Sequence, residues 1–188
     1  MTACGQDKAN GTSTNKNEND VEQKSQKDEP KEEVKKEKEE PEIISIDNGE
    51  MVVIEDFAEF TITNTVFSKR IDPPSPGSFY TYYEAKEEGT TYLDTVILIK
   101  SLLTSGKSSD EFASVKVIFN EKYEYKTFST IEDKGGSDFT FTNITSIEPL
   151  KSGTLHFLAE VPEEVEKGEE PVSVIVTVKE KDYIYKVR

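Results

Sequence analysis

The chain has very little of the residue types on which most disulfide, metal and acid-base chemistry depends. Its 188 residues include one cysteine, one histidine and no tryptophan. A single cysteine excludes an internal disulfide bond, so a folded domain must be stabilised by an ordinary hydrophobic core. Zinc sites normally draw on several cysteine and histidine ligands, and a Ser-His-Asp arrangement would have to use His156. The sequence therefore predicts no zinc site and no cofactor.

Basic residues and long apolar runs are also scarce. The chain carries 23 lysines and arginines against 38 aspartates and glutamates, a net charge of -15. Nucleic-acid binding needs a basic patch with interleaved aromatic side chains, so nucleic acid is not an expected partner. No stretch approaches the roughly 20 apolar residues of a membrane-spanning helix. Because anionic lipid head groups repel an acidic domain, attachment to a membrane would rest on acyl chains.

The first 42 residues contain no aromatic side chain, and residues 30–41 are nearly all glutamate and lysine between two prolines. Such a segment cannot bury enough apolar surface to offset the entropy lost on ordering. We therefore predict a disordered tether over residues 1–42 and one folded domain over residues 43–188. A flexible chain of this length suits a domain carried off a membrane and into a cell wall.

The only cysteine lies near the start of the chain, in Met1-Thr2-Ala3-Cys4-Gly5. These residues resemble the end of a bacterial lipobox, in which small residues flank the modified cysteine. The resemblance implies a Gram-positive surface lipoprotein with diacylglycerol on Cys4, anchored at the outer face of the cell membrane. A signal peptide needs an apolar stretch of roughly 7–15 residues, longer than the segment before Cys4. Either the chain starts downstream of the native start, or the match is accidental and the protein stays in the cytosol.

From residue 43 onward the sequence is typical of β-strands, and all tyrosines and phenylalanines lie in this part. Residues 57–67 alternate between polar and apolar side chains, which is the period of a half-buried strand. The longest apolar run, residues 96–99, predicts a central strand covered on both faces. Residues 153–161 place Phe157 on one face and His156 on the other. Short strands of this kind predict a sandwich of about seven to nine strands.

Two hairpins are predicted from the alignment of apolar faces. A three-residue loop after Phe119 would join two antiparallel strands. The side chains of Phe119 and Tyr123 would then lie on the same face of the pair, opposite each other. A two-residue turn at residues 181–182 pairs Val178 with Tyr185. In both hairpins the apolar faces of the two strands then agree.

The order of the strands and one motif carry a second resemblance. A strand ending Tyr92-Leu-Asp-Thr-Val-Ile-Leu and a hairpin precede Pro149-Leu-Lys-Ser-Gly-Thr-Leu-His-Phe-Leu-Ala-Glu-Val-Pro162 and two last strands. Over residues 43–188 this order resembles an immunoglobulin-like secreted domain that is common in Gram-positive lipoproteins. The resemblance implies an all-β, immunoglobulin-like β-sandwich and brings no catalytic residues with it.

Acidic residues offer two other kinds of site. Asp133 and Asp138 flank a pair of glycines and are candidate calcium ligands, although their spacing is not that of an EF-hand. Acidic loops that contain glycine are most often solvated turns. Two carboxylates can also hydrolyse a glycoside without histidine, but no pair in the sequence stands out.

Tyrosine is the one compositional signal that indicates recognition. Residues 79–83 read Phe-Tyr-Thr-Tyr-Tyr and follow a proline-rich loop at residues 73–77, which predicts a strand with aromatic side chains on both faces. Exposed tyrosines provide rigid, amphipathic contact area. Our hypothesis is a contact surface for peptide or carbohydrate at Tyr80, Tyr82 and Tyr83. In the alternative interpretation these side chains only cover a sheet edge.

Three classes of function remain open. The first is a lipid-anchored, non-enzymatic binding or structural domain at the cell surface, with a cell-wall or surface protein or glycan as its partner. The second is a secreted inhibitor or adhesin-like module that recognises an envelope or host protein. The third is a hydrolase that acts on wall glycans with paired carboxylates.

Overall fold

The computed structural model describes residues 43–188, which fold mainly as β-strands. The predicted tether over residues 1–42, with Cys4, lies outside the described residues. The elements in chain order are β1 (Ile43–Ile46), β2 (Met51–Ile54), β3 (Ala58–Ser68), β4 (Arg70–Ile71), β5 (Tyr83–Glu84), β6 (Thr90–Ser101), β7 (Lys107–Ser108), a 3-10 helix (Ser109–Glu111), β8 (Ser114–Phe119), β9 (Tyr123–Lys126), β10 (Phe128–Glu132), β11 (Phe139–Phe141), a second 3-10 helix (Thr142–Ile144), β12 (Ser146–Ile147), β13 (Ser152–Pro162), α1 (Glu163–Lys167), β14 (Val172–Val178) and β15 (Lys181–Lys186).

Two main sheets contain most of these strands. The five-stranded sheet has the order β1-β15-β14-β8-β9, and the six-stranded sheet has the order β11-β10-β13-β6-β3-β2. All pairs in them are antiparallel except β1 with β15. The all-β sandwich predicted from the sequence is confirmed. The two main sheets contain eleven strands, more than the seven to nine expected. One reason is that the chain passes from one sheet to the other at Thr127, which separates β9 from β10.

The core lies between the inner faces of the two sheets. On β14, the alternating valines Val172, Val174, Val176 and Val178 are at most 2% exposed. The inner face of β13 contributes Leu155, Phe157, Ala159 and Val161, as its alternation predicted. The edge of the Phe60 ring contacts the Tyr183 ring across the sandwich, at 5.2 Å between centroids. Period-two patterning therefore suffices to assign these faces.

The first predicted hairpin is confirmed, whereas the second has a different register. Phe119 pairs with Tyr123, as expected. In the second hairpin the turn consists of Lys179 and Glu180, both in the left-handed region with φ of 46° and 65°. Val178 therefore pairs with Lys181, and not with Tyr185. The prediction was wrong because this turn lacks the asparagine or glycine that usually marks two residues of positive φ.

Strand β6 is the central strand predicted over residues 96–99, and it lies between β13 and β3. Its residues 91–97 are buried on both faces. The predicted cover on both faces is wrong at Leu98, which is 41% exposed, because the cover on the outer face ends before the end of the strand. The described residues contain no helix that is long and apolar enough to cross a membrane.

Candidate functional site

A strap formed by residues 69–89 crosses part of the outer face of the six-stranded sheet. Its only regular structure is the short pair β4–β5, in which Arg70 is opposite Glu84 and Ile71 is opposite Tyr83. The three prolines at its start remove backbone donors and restrict the chain to extended or turn conformations. Apolar side chains from the strap and the sheet form a second, smaller core: Ile71, Tyr83, Ala85, Tyr92, Phe139 and Leu158.

The strap is fastened to the loop of residues 133–138 by hydrogen bonds. The Thr81 amide donates to Asp138 Oδ1 at 2.7 Å. The Ser75 amide donates to the Gly136 carbonyl at 2.9 Å, and the Gly77 amide donates to the Ser137 carbonyl at 3.1 Å. One loop thus holds the irregular half of the strap at three points.

The same bonds show what the two candidate calcium ligands do in this fold. Asp133 accepts hydrogen bonds from the amide and the hydroxyl of Ser137, at 2.7 and 2.8 Å. The hydrogen bond from the Ser137 hydroxyl is the main reason that the pKa of Asp133 is lowered. The hydrogen bond from the Thr81 amide is the main reason that the pKa of Asp138 is lowered. Both carboxylates therefore stabilise the loop and the strap. Within residues 43–188, no group of three or more His, Cys, Asp and Glu side chains is arranged to hold a metal ion.

A buried cluster of three ionisable side chains lies on the outer face of the six-stranded sheet. His156 Nδ1 is 2.8 Å from Asp94 Oδ2, and His156 Nε2 is 2.9 Å from Glu132 Oε1. The side chains of His156 and Asp94 are 8% and 4% exposed, whereas that of Glu132 is 19% exposed. We call these three residues the buried triad.

Strand register brings the triad together. His156 on β13 is opposite Val96 on β6 and Thr130 on β10. Asp94 and Glu132 are each two residues away from those partners, so they are diagonal neighbours of His156 on the same face. The triad thus follows from the pairing of three strands that are far apart in the sequence.

The pKa of His156 is raised above its usual value of 6.5. Burial is the largest single influence and lowers it, but the hydrogen bonds and charges of Asp94 and then of Glu132 together outweigh burial. Because each ring nitrogen faces a carboxylate oxygen, the protonated form of His156 donates from both nitrogens, which is why the carboxylates favour it. The other Asp94 oxygen, Oδ1, is buried without a hydrogen bond to any described protein group.

The sequence analysis placed His156 on the face opposite Phe157, which the structure confirms, but it missed both partners. A usable signal was present in β6, where Asp94 is the only charged residue among residues 90–99 and precedes the longest apolar run. A charged residue in a strand buried on both faces requires a partner. The only histidine, itself in a buried strand, was the obvious candidate.

The predicted tyrosine surface is rearranged, because residues 79–82 form no strand. The guanidinium of Arg70 lies 3.8 Å from the centre of the Tyr82 ring and donates to the Tyr80 hydroxyl at 3.2 Å. Arg70 also forms an ion pair with Asp72. Tyr83 instead packs within the smaller core, where its ring contacts Phe139. The structure thus brings Tyr80 and Tyr82 together around Arg70 and places Tyr83 against the smaller core.

A cavity of about 400 Å³ opens beside Tyr82, between the end of the strap and the sheet. We call it the tyrosine cavity. Its wall consists of Tyr82, Tyr83, Glu84, Lys86, Glu87, Tyr92 and Glu160. The Thr90 hydroxyl holds Glu160 through a hydrogen bond of 2.8 Å. Burial, and secondarily the nearby Glu160 carboxylate, raises the pKa of Tyr92, so its hydroxyl is neutral at physiological pH.

Two further cavities have no aromatic ring in their walls. One, of about 360 Å³, lies between Pro74 of the strap and the loop of residues 133–136, with Glu132 in its wall. The other, of about 410 Å³, lies on the outer face of the five-stranded sheet beside Ile118, Ile175 and Ile184. Of these three cavities, the tyrosine cavity is the best candidate for a recognition site, because aromatic walls combine contact area with polar groups.

Comparison with solved structures identifies a protein of similar sequence and fold. An uncharacterized β-sandwich protein from Clostridium difficile 630 is 32% identical to this chain, with a TM-score of 0.73. The alignment covers 80% of this chain and 98% of the Clostridium protein. This chain belongs to the same family.

The fold of this β-sandwich family extends to a more distant structure. A conserved hypothetical protein from Bacillus anthracis is 10% identical to this chain, with a TM-score of 0.51. The alignment covers 74% of this chain and 93% of the Bacillus protein, and at this identity it shows a similar fold alone. Comparisons with protein-family models and with curated proteins find no match.

Proposed function

We propose that this protein is a non-enzymatic binding module of the cell surface, and that the tyrosine cavity and the adjoining Tyr80–Tyr82 surface are its contact site. The observation that carries the proposal is a concave site with three tyrosine rings in its wall. Tyr82 is 46% exposed, and the neighbouring Phe79 is 95% exposed. Aromatic side chains at this exposure are typical of binding surfaces.

Rigidity of the site supports the same proposal. The strap that carries Tyr80, Tyr82 and Tyr83 is held by the loop of residues 133–138 and by the smaller core beneath it. A site that is ordered before its ligand arrives loses less conformational entropy on binding. The bonds of Asp138 and Arg70 therefore contribute to recognition as well as to stability.

We further propose that the domain is an immunoglobulin-like secreted sandwich anchored by diacylglycerol on Cys4 at the outer face of the membrane. The lipobox-like residues and the polar composition of residues 1–42 support this location. In the native organism, the protein expressed from its full reading frame is expected in the detergent-soluble membrane fraction, with a lipid mass on Cys4. The Cys4→Ser variant should be released from that fraction. Equal partitioning of both proteins would remove the anchor from the proposal.

The geometry of the buried triad supports a binding module over an enzyme. Both nitrogens of His156 are engaged by carboxylates, so neither is free to accept a proton from a nucleophile. Asp94 and Glu132 lie on opposite sides of one imidazole ring and cannot flank a glycosidic bond. A wall-glycan hydrolase is thus the less supported alternative.

The contact site is tested by binding of the full-length protein to purified cell-wall fragments and to envelope and host surface proteins. Tyr80→Ser combined with Tyr82→Ser should abolish the interaction. A matched control is Tyr123→Ser, because Tyr123 is 47% exposed on the edge strand β9 of the other sheet. Capture of a host or envelope protein, rather than wall material, would favour the inhibitor or adhesin-like alternative. Unchanged binding by the double variant would refute the proposed site.

A further inference from the structure

The walls of the tyrosine cavity combine aromatic rings with carboxylates. Tyr82, Tyr83 and Tyr92 are the aromatic residues of the wall, and the rings of Tyr83 and Tyr92 also pack against Phe128. The face of an aromatic ring carries the negative part of its quadrupole and attracts a cation that lies within about 6 Å. Three such rings around one cavity are suited to an organic cation.

Charge in the wall favours the same class of ligand. Glu84, Glu87 and Glu160 are exposed acids, and Lys86 is the only base in the wall. The cavity therefore carries a net negative charge, in a chain whose net charge is -15. Phosphate or carboxylate ligands would be repelled, whereas an ammonium group would replace its lost hydration with carboxylates and ring faces.

The molecule already shows one cation on this surface. The guanidinium of Arg70 covers a face of the Tyr82 ring at 3.8 Å from its centre. Arg70 itself is not among the residues of the cavity wall. The contact shows that the Tyr82 ring is placed where it can hold a cation.

The hydroxyl groups of Tyr83 and Tyr92 complete the site. Neither hydroxyl forms a hydrogen bond to a side chain within residues 43–188, so no such bond would compete with a ligand. Neither is among the fully buried side-chain atoms without a partner. The Tyr92 hydroxyl is neutral and lies near Glu160. It is available to donate to a polar group attached to the cation.

We propose that the tyrosine cavity binds an organic ammonium ion, with Tyr82 and Tyr92 supplying ring surface and Glu160 supplying the counter-charge. This inference rests on the proposed function and narrows its ligand. The wall component that the module recognises would then present an ammonium group of the quaternary-amine kind.

The inference is tested by NMR titration of the full-length protein with choline and with neohexanol, the uncharged alcohol in which carbon replaces the choline nitrogen. The two probes have nearly the same shape, so a difference in affinity reports the charge. We expect choline to bind about tenfold more tightly than neohexanol, with shifts centred on Tyr82 and Tyr92. Equal affinities, shifts located elsewhere, or no choline binding up to about 10 mM would overturn the inference.

Two conservative variants keep the test independent of folding. Glu160→Gln should weaken choline binding at least about threefold and leave neohexanol binding unchanged, because the Thr90 hydroxyl still has an oxygen to bond. Glu169→Gln, an exposed acid outside the cavity, should leave both titrations unchanged. Equal weakening by both variants would mean that only the overall charge matters, which would overturn the specific site.

Choline binding and the envelope interaction of the Tyr80/Tyr82 double variant separate a wrong ligand class from a wrong contact site. If choline does not bind but the Tyr80/Tyr82 double variant loses its envelope interaction, the ligand class is wrong and the contact site stands. If the double variant retains every envelope interaction, the contact site itself is wrong.

Discussion

His156 shows how one side chain adopts its protonation state from its neighbours. Its ring packs edge-on against Phe139 at 4.9 Å, and its two nitrogens face Asp94 and Glu132. A buried imidazolium without partners would be costly, whereas one between two carboxylates is stabilised. The same carboxylates would repel each other if the ring lost its proton.

This arrangement predicts a specific dependence of stability on pH. Because the pKa of His156 is raised in the folded state, the triad stabilises the fold fully below the unfolded value of about 6.5. That stabilisation is lost as the pH rises through the higher folded value. Urea unfolding of the wild type and of His156→Gln between about pH 6 and pH 9 should show their stability difference shrinking with increasing pH. A constant difference across this range would contradict a charged His156.

Among the elements, the strap has the least regular structure and depends most on bonds to another loop. Asp138 accepts from two amides, those of Thr81 at 2.7 Å and of Phe139 at 2.8 Å. Few apolar contacts hold residues 73–82, so these polar bonds determine how often the segment opens.

We therefore expect Asp138→Ala to release the strap without unfolding the sandwich. Hydrogen exchange at the Thr81 amide should accelerate markedly, while the amides of β14, at the centre of the other sheet, keep their protection. Glu121→Ala, on an exposed turn, is the control and should change neither. Unchanged exchange at Thr81 would show that the smaller core alone holds the strap.

The β14–β15 hairpin contains strain that a single substitution can remove. Glu180 has a φ of 65°, a conformation that costs a residue with a side chain roughly 1 kcal/mol relative to glycine. Glu180→Gly should therefore stabilise the protein by about 0.5–1 kcal/mol in urea unfolding. Lys126→Gly, in the exposed edge strand β9, should instead be destabilising, because glycine weakens an ordinary strand. Destabilisation by Glu180→Gly would mean that its side chain makes a contact worth more than the strain.

At the scale of the whole molecule, both sheets depend on one shared core. Phe60, in the six-stranded sheet, is 2% exposed and contacts Tyr183 of the five-stranded sheet. Truncation of Phe60 removes apolar contact from both layers at once and leaves a cavity.

Phe60→Ala is expected to lower the free energy of unfolding by about 3–5 kcal/mol, measured by urea or thermal unfolding. Phe79→Ala is the matched control, because Phe79 is 95% exposed and its loss should change stability by less than about 0.5 kcal/mol. A similar loss from both variants would show that Phe79 packs against the domain in solution.

The sequence by itself determined the fold class and the faces of the long strands. Alternation along β13 and β14 assigns inner and outer residues because a strand has a side-chain period of two, and burial requires the apolar side chains to share one face. It also identified the tyrosine-rich segment, since composition alone marks residues 79–83 as unusual. These features depend on residues that are close together in the chain.

Only the tertiary structure decided the buried triad, the strap and the tyrosine cavity. Asp94 and Glu132 flank His156 because β6, β10 and β13 pair in one particular register, and register is a property of the assembled sheet. Of the strand predicted over residues 79–83, only Tyr83 lies in a strand. The Thr81 amide donates to Asp138 instead of to a neighbouring strand, and the amides of Ser75 and Gly77 donate to the same loop. Glu160 and Tyr92 meet across the β6–β13 pair. The chemistry of the site thus arises from contacts between distant segments, which local pattern cannot specify.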